Sequence, residues 1–164
     1  MKPPAAPQLL DGEAPAGLWE ALASNVEAEG FTLVRAEIPS RANGTTNFTS
    51  RTVTVADHLS PAQAAKTLAH ELGHVLLYDG SEYAAGCRGR AEVEAESVAY
   101  IVCQAAGLTA AAYSFGYVAA WSGGDLKSVT ATAERVTGCA RTILERTGVL
   151  GSSLEEAAEG RAAA

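Results

Sequence analysis

Apolar positions recur at helical spacing over five stretches of the chain and alternate over one, which predicts a mixed and mostly helical domain. Leu18, Trp19, Leu22 and Val26 fall on one face between Ala16 and Glu29, and Gly30 supplies the stop. From Phe31 to Ile38 the residues alternate as a strand does. Pro39 closes it, and Asn43-Gly44 is a hairpin-turn signal. Thr45 to Ala56, rich in Thr and Val, reads as one or two further strands. Ser60-Pro61-Ala62-Gln63 then opens a helix. Ser60 can cap it, Pro61 suits the first helical position, and Gln63 can reach back to complete a capping box. This helix runs to about Tyr78, with Gly80 beyond. Further helices are predicted over Ala91 to Ala106, Ala110 to Trp121 and Leu126 to about Thr147. The last of these turns Val129, Val136, Ala140, Ile143 and Leu144 inward.

The fold class is therefore α+β, mainly helical with a small N-terminal β-sheet. A length of 164 residues fits one domain. Four of the six prolines fall within the first fifteen residues, so residues 1–14 read as an extended arm ahead of a domain over 15–150. Residues 151–164 are small, acidic and poor in apolar side chains, and read as a tail. A net charge of −7, with basic residues thinly spread, argues against a large nucleic-acid footprint. No apolar run reaches membrane-spanning length, and Met1-Lys2-Pro3-Pro4 lacks the apolar segment of a signal peptide. The expectation is a soluble, cytoplasmic protein. Cys87, Cys103 and Cys139 form no CxxC pair, so neither a disulfide framework nor a thiolate zinc knuckle is indicated.

The chemistry sits in His70-Glu71-Leu72-Gly73-His74. Histidines at i and i+4 share one helical face, so both imidazoles can aim at a single metal ion, with Glu71 in reach of a water on that metal. With three His and fifteen Glu in the chain, chance produces this pattern in roughly one sequence in 200. The flanking Leu68, Ala69, Leu72, Val75 and Leu76 bury the helix, and buried polar groups need partners. A metzincin would carry Gly at 77 and His at 80; Leu77 and Gly80 exclude that class. His58 reads as a turn or cap residue. The third ligand falls to the helix opened by Glu92-Val93-Glu94-Ala95-Glu96. Packed antiparallel to the first, that helix brings Glu92 to the metal. Glu96, one turn along, either hydrogen-bonds a ligand imidazole or reaches the same metal. Glu94 points elsewhere; the alternative for all three glutamates is a solvated helix N-terminus, which the macrodipole favours.

The stretches AHELGHVLLYDG and AEVEAESVAYIVC, with Tyr117-Val118-Ala119-Ala120-Trp121 and the long last helix, resemble the zincin-like peptidase domain of ArdC-type antirestriction proteins. They are also similar to the ImmA/IrrE group of minimal gluzincins. The resemblance covers about residues 60–147, and more weakly the strands from 31 to 56. It implies a zincin-like (minimal gluzincin) fold holding Zn2+, with His70 and His74 as ligands and Glu71 as the catalytic glutamate. Glu92 corresponds to the glutamate ligand, and Glu96 to the polar residue one turn later. ArdC-type proteins also carry an N-terminal single-stranded-DNA-binding domain, for which this chain has no room. An excised or free-standing peptidase domain without antirestriction activity is therefore expected.

The implied function is zinc-dependent hydrolysis of peptide bonds by a metal-activated water, with Glu71 accepting the proton. The rival class is a metal-stabilised binding or regulatory module that cleaves little. Tyr117, Tyr113, Tyr78 and Arg88 are available to stabilise an oxyanion, and Tyr117, which opens the resembling segment, is taken as the catalytic candidate. Cys87, in a Gly-flanked loop, is either an inhibitory thiolate or without a role. The expected partner is a peptide or protein, for which the Thr- and Val-rich strands offer an edge. No membrane and no nucleic acid is expected for this chain alone, and no motif sets an oligomeric state.

Overall fold

The structure, a computed structural model, describes residues 9–81, 88–108 and 126–149. Within them the order is α1 (Leu18–Ala28), β1 (Thr32–Ala36), β2 (Gly44–Asn47), β3 (Thr52–Ala56), α2 (Pro61–Leu77), α3 (Arg88–Ala105) and α4 (Leu126–Thr147). The helix predicted over 110–121, the Cys87 loop and the tail over 151–164 lie outside the described residues.

The α+β division holds, but the sheet is connected differently from the expectation. A hairpin turn at Asn43-Gly44 would make β1 and β2 neighbours. Instead β3 lies between them, parallel to β1 and antiparallel to β2. The physical reason lies in β3, whose Val53 and Val55 are both fully buried, whereas Thr32, Val34 and Arg35 of β1 face solvent. The strand with the most apolar surface to hide takes the middle. Gly44 therefore begins β2 rather than turning the chain. The hairpin turns over residues 48–51, where Asn47 Oδ1 accepts the Ser50 N–H at 3.0 Å and Arg51 adopts a φ of 51°.

Helix α2 is the centre of the molecule. Ser60 Oγ accepts the Gln63 N–H at 3.2 Å as its cap, and Pro61 opens the first turn. The expected capping box does not form. The Gln63 side chain instead accepts the Leu10 N–H at 2.8 Å and donates to Thr67 Oγ1 at 3.2 Å. Ser60 Oγ donates to the Leu10 carbonyl, and Ala62 N–H to that of Gly12, so this part of the presumed arm is tied to the start of α2. Leu68 and Leu72 are fully buried among Leu22 and Val26 of α1, Val53 and Val55 of β3, Val98 and Val102 of α3, and Ile143 of α4. Each such side chain contributes about 1.5–3 kcal/mol.

Helices α2 and α3 cross where their smallest residues meet. A Cβ on Gly73 would lie 3.2 Å from Ala95 Cα, so the two backbones touch. That crossing lies between the candidate site residues, His70 and His74 on α2 and Glu92 and Glu96 on α3. On α4, Val136, Cys139, Ala140, Ile143 and Leu144 face the core, with Val129 half-buried at its start.

Candidate metal centre

His70 and His74 stand one turn apart on α2, with their Nε2 atoms 3.1 Å apart. Glu92, from the first turns of α3, places Oε2 3.3 Å from His70 Nε2 and Oε1 3.4 Å from His74 Nε2. His70 pairs along α3 with Glu96 and His74 with Glu92, so the helices run antiparallel, as the spacing required. The three donor atoms lie within 4.8 Å of one another. Two imidazole nitrogens and a carboxylate converging on one point, on the open side of a cleft, suit a divalent cation of borderline softness. His74 is buried and Glu92 is 47% exposed, so the triad is rooted in the core and open towards the cleft.

Glu96 sits apart from this triad. Its Oε2 meets the other ring nitrogen of His70, Nδ1, at 3.1 Å, and its Oε1 meets Lys66 Nζ at 2.6 Å. Burial works to raise the Glu96 pKa. The hydrogen bonds from His70 and Lys66, together with the Lys66 charge, outweigh it and hold the carboxyl down at about 2. His70 shows the complementary effect. Burial alone would lower it, but hydrogen bonds to Glu92 and Glu96 and the nearby Glu71 charge raise it to about 10 in the metal-free chain.

Glu71 is 5% exposed, and its Oε2 accepts the Thr46 hydroxyl at 2.7 Å. A Cβ on Gly44 would fall 2.7 Å from Glu71 Oε1, so β2 can lie against this carboxylate because position 44 has no side chain. Strand β2 is the outer strand of the sheet on this side. Together with α2 and α3 it walls a cleft of about 540 Å³ that contains Glu71, the triad, Glu96 and Lys66. Leu9, from the tied N-terminal segment, forms part of its rim.

Sequence reasoning missed Gly44, Thr46 and Lys66. Lys66 lies one turn before His70, a legible signal; Thr46 and Gly44 depend on which strand becomes the edge. Glu94 points away from the triad, as read from its spacing. Its side chain is fully buried, which excludes the alternative of a solvated helix N-terminus, with Oε1 3.0 Å from Arg90 Nε and 3.4 Å from Arg135 Nε. The Tyr78 hydroxyl donates to Glu94 Oε2, so this oxyanion candidate is engaged in the core instead of lining the cleft. His58 is an exposed turn residue, as read. Tyr113, Tyr117 and Cys87 lie outside the described residues, and Arg88 is the first residue of α3.

A family described as the IrrE N-terminal-like domain, Peptidase_M78, matches residues 26–121, which contain every residue of this centre. The chain belongs to this family. As a Peptidase_M78 member it carries a metallopeptidase-like domain, in line with the zincin-like ImmA/IrrE resemblance read from its motifs. Among solved structures, the crystal structure of the antirestriction ArdC protein from the R388 plasmid, described as Mn(II)-bound, has the same fold. Its TM-score is 0.58 at 21% identity, over 85% of this chain and 55% of the ArdC chain. The Peptidase_M78 chain thus spans about half the length of that neighbour. No curated protein sequence is a significant match. Among the described residues no helix is long and apolar enough to cross a membrane.

Proposed function

We propose that this Peptidase_M78 domain is a zinc-dependent peptidase in which His70, His74 and Glu92 hold the metal and Glu71 is the catalytic base. The observation that carries this reading is the convergence of His70 Nε2, His74 Nε2 and the Glu92 carboxylate beside a buried Glu71 on the same cleft. When bound, zinc supplies Lewis acidity, acidifying a water and polarising a carbonyl.

The residues of the chain do the rest. Glu71 takes a proton and returns it to the leaving amine; the Thr46 hydroxyl fixes Oε2 and leaves Oε1 as the acceptor. Glu96 accepts the Nδ1 proton of neutral His70, which selects the tautomer whose Nε2 lone pair faces the metal position. Lys66 holds the Glu96 carboxylate from its other side. The outer edge of β2 suits an extended peptide, which would add as a further strand across the cleft. Tyr117 is kept as the candidate for oxyanion stabilisation.

The test is Glu71→Gln. This substitution leaves the proposed ligands in place and removes the proton acceptor, so zinc content should be retained. Cleavage of a diverse peptide library should fall by about 10²–10⁴-fold. Zinc-loaded wild type that cleaves nothing the variant spares would favour the metal-stabilised binding module.

A further inference from the structure

We propose that Glu94 is a positioning residue of this metal centre: its buried carboxylate clamps α3 in the rotation that presents Glu92 to the two imidazoles. The inference rests on the metal-site reading above and concerns a side chain outside the cleft. Glu94 is 0% exposed and gathers three partners from three helices. The Tyr78 hydroxyl donates to it from the C-cap of α2, Arg90 pairs with it from one turn earlier on α3, and Arg135 reaches it from α4. Arg135 also donates through Nη2 to the Leu77 carbonyl at 3.1 Å and lies over the Tyr78 ring, 5.5 Å from its centroid. The end of α2 is thereby fixed to the same carboxylate.

Three features give this network a bearing on the metal. The α2–α3 crossing at Gly73 and Ala95 is a contact of small residues. It sets how close the helices come but offers little interlock against rotation or sliding. Glu92 is half-exposed, so packing alone does not hold its carboxylate. Two residues along a helix turn a side chain by roughly 200°. A rotation of α3 that releases Glu94 would therefore swing Glu92 off His70 and His74. Tyr78 stands one turn beyond His74, so the clamp ties α2 just past its second imidazole to α3 two residues past Glu92. A buried carboxylate with three partners is costly to disturb and has one well-defined arrangement.

The experiment compares zinc affinity with stability in Tyr78→Phe and Glu94→Gln. Tyr78→Phe keeps the packed ring and deletes only the hydroxyl. Zinc affinity is measured by competition with a chromophoric chelator at a temperature where the metal-free proteins are fully folded. The visible absorption of the cobalt(II)-substituted proteins is recorded alongside. Both variants should lose about tenfold or more in zinc affinity, within the 10–100-fold typical of groups that orient ligands. Their cobalt spectra should shift or weaken. A merely structural clamp would lower the melting temperature and leave affinity and spectrum at wild-type values, which overturns the proposal. Should neither variant fold, Arg90→Gln at its half-exposed position gives the same comparison: a weaker zinc site with an altered cobalt spectrum supports the clamp, and wild-type binding refutes it. Absence of zinc binding by wild type would instead strike the metal-site reading itself.

Discussion

Gly44→Ala adds one methyl group where β2 meets the candidate base. That methyl would stand 2.7 Å from Glu71 Oε1, 2.7 Å from Thr67 Cγ2 and 2.9 Å from Glu71 Cγ, well inside contact distance. Two responses are open, and both cost stability. If β2 moves, the overpacking costs about 1–3 kcal/mol. If the Glu71 carboxylate moves, it leaves the Thr46 hydroxyl, and losing a hydrogen bond to a charged group costs about 1.5–3 kcal/mol. For a chain of this size each kcal/mol shifts the melting temperature by about 2–4 °C, so a fall of at least about 2–3 °C is expected. Scanning calorimetry of metal-free protein reads it, with Thr45→Ala, at an exposed position, as the control. Gly44→Ala/Thr67→Ser should recover part of the loss, because it removes one of the crowded atoms. A Gly44→Ala protein melting with wild type would show that β2 does not press on Glu71.

Glu96→Gln keeps the side-chain shape but weakens the hold on His70 Nδ1; zinc affinity should fall about 10–100-fold by chelator competition, and an unchanged value would remove Glu96 from the site. In the metal-free chain His70 is raised from 6.5 to about 10, so protonated His70 stabilises the fold fully below pH 6.5, and that contribution is lost as pH rises through 10. Zinc needs the neutral ring, so between those values affinity should rise about tenfold per pH unit, and titration calorimetry at pH 8 in buffers of different ionisation enthalpy should find about one proton released. Release of none would contradict the Glu92–His70–Glu96 geometry. Burial pushes the Cys103 and Cys139 thiols up to about 12, so in a Cys87→Ser protein both should resist iodoacetamide at pH 8 until denaturant is added. Alkylation within minutes in the folded state would show that this side of the core is open.

The proposed ligands were legible in the sequence because helical geometry is local. Residues four apart share a face whatever surrounds them, so His70 and His74, then Glu92 and Glu96, could be paired before any packing was known. The long last helix was legible for the same reason, from its apolar stripe between Val129 and Leu144. The order of the strands was not, because Asn43-Gly44 carries a turn signal that the burial of Val53 and Val55 overrides. Without the strand order, Thr46 and Gly44 could not be linked to Glu71. The burial of Glu94 was not legible, because helix position alone allows a solvated carboxylate there. Its burial depends on Arg135, forty-one residues away along the chain, and Tyr78, sixteen away. Gln63 fits a capping box by spacing, yet its amide is drawn to Leu10 by a segment whose path no local pattern records.

His70, His74 and Glu92 are proposed to form one metal site. Its most direct test is calorimetric titration of zinc into chelator-stripped protein, repeated with Glu92→Ala and His74→Ala. One zinc per wild-type chain is expected, with loss of that binding in both variants. That expectation would be contradicted by wild type that takes up no zinc, or by a Glu92→Ala protein that binds it as tightly as wild type does.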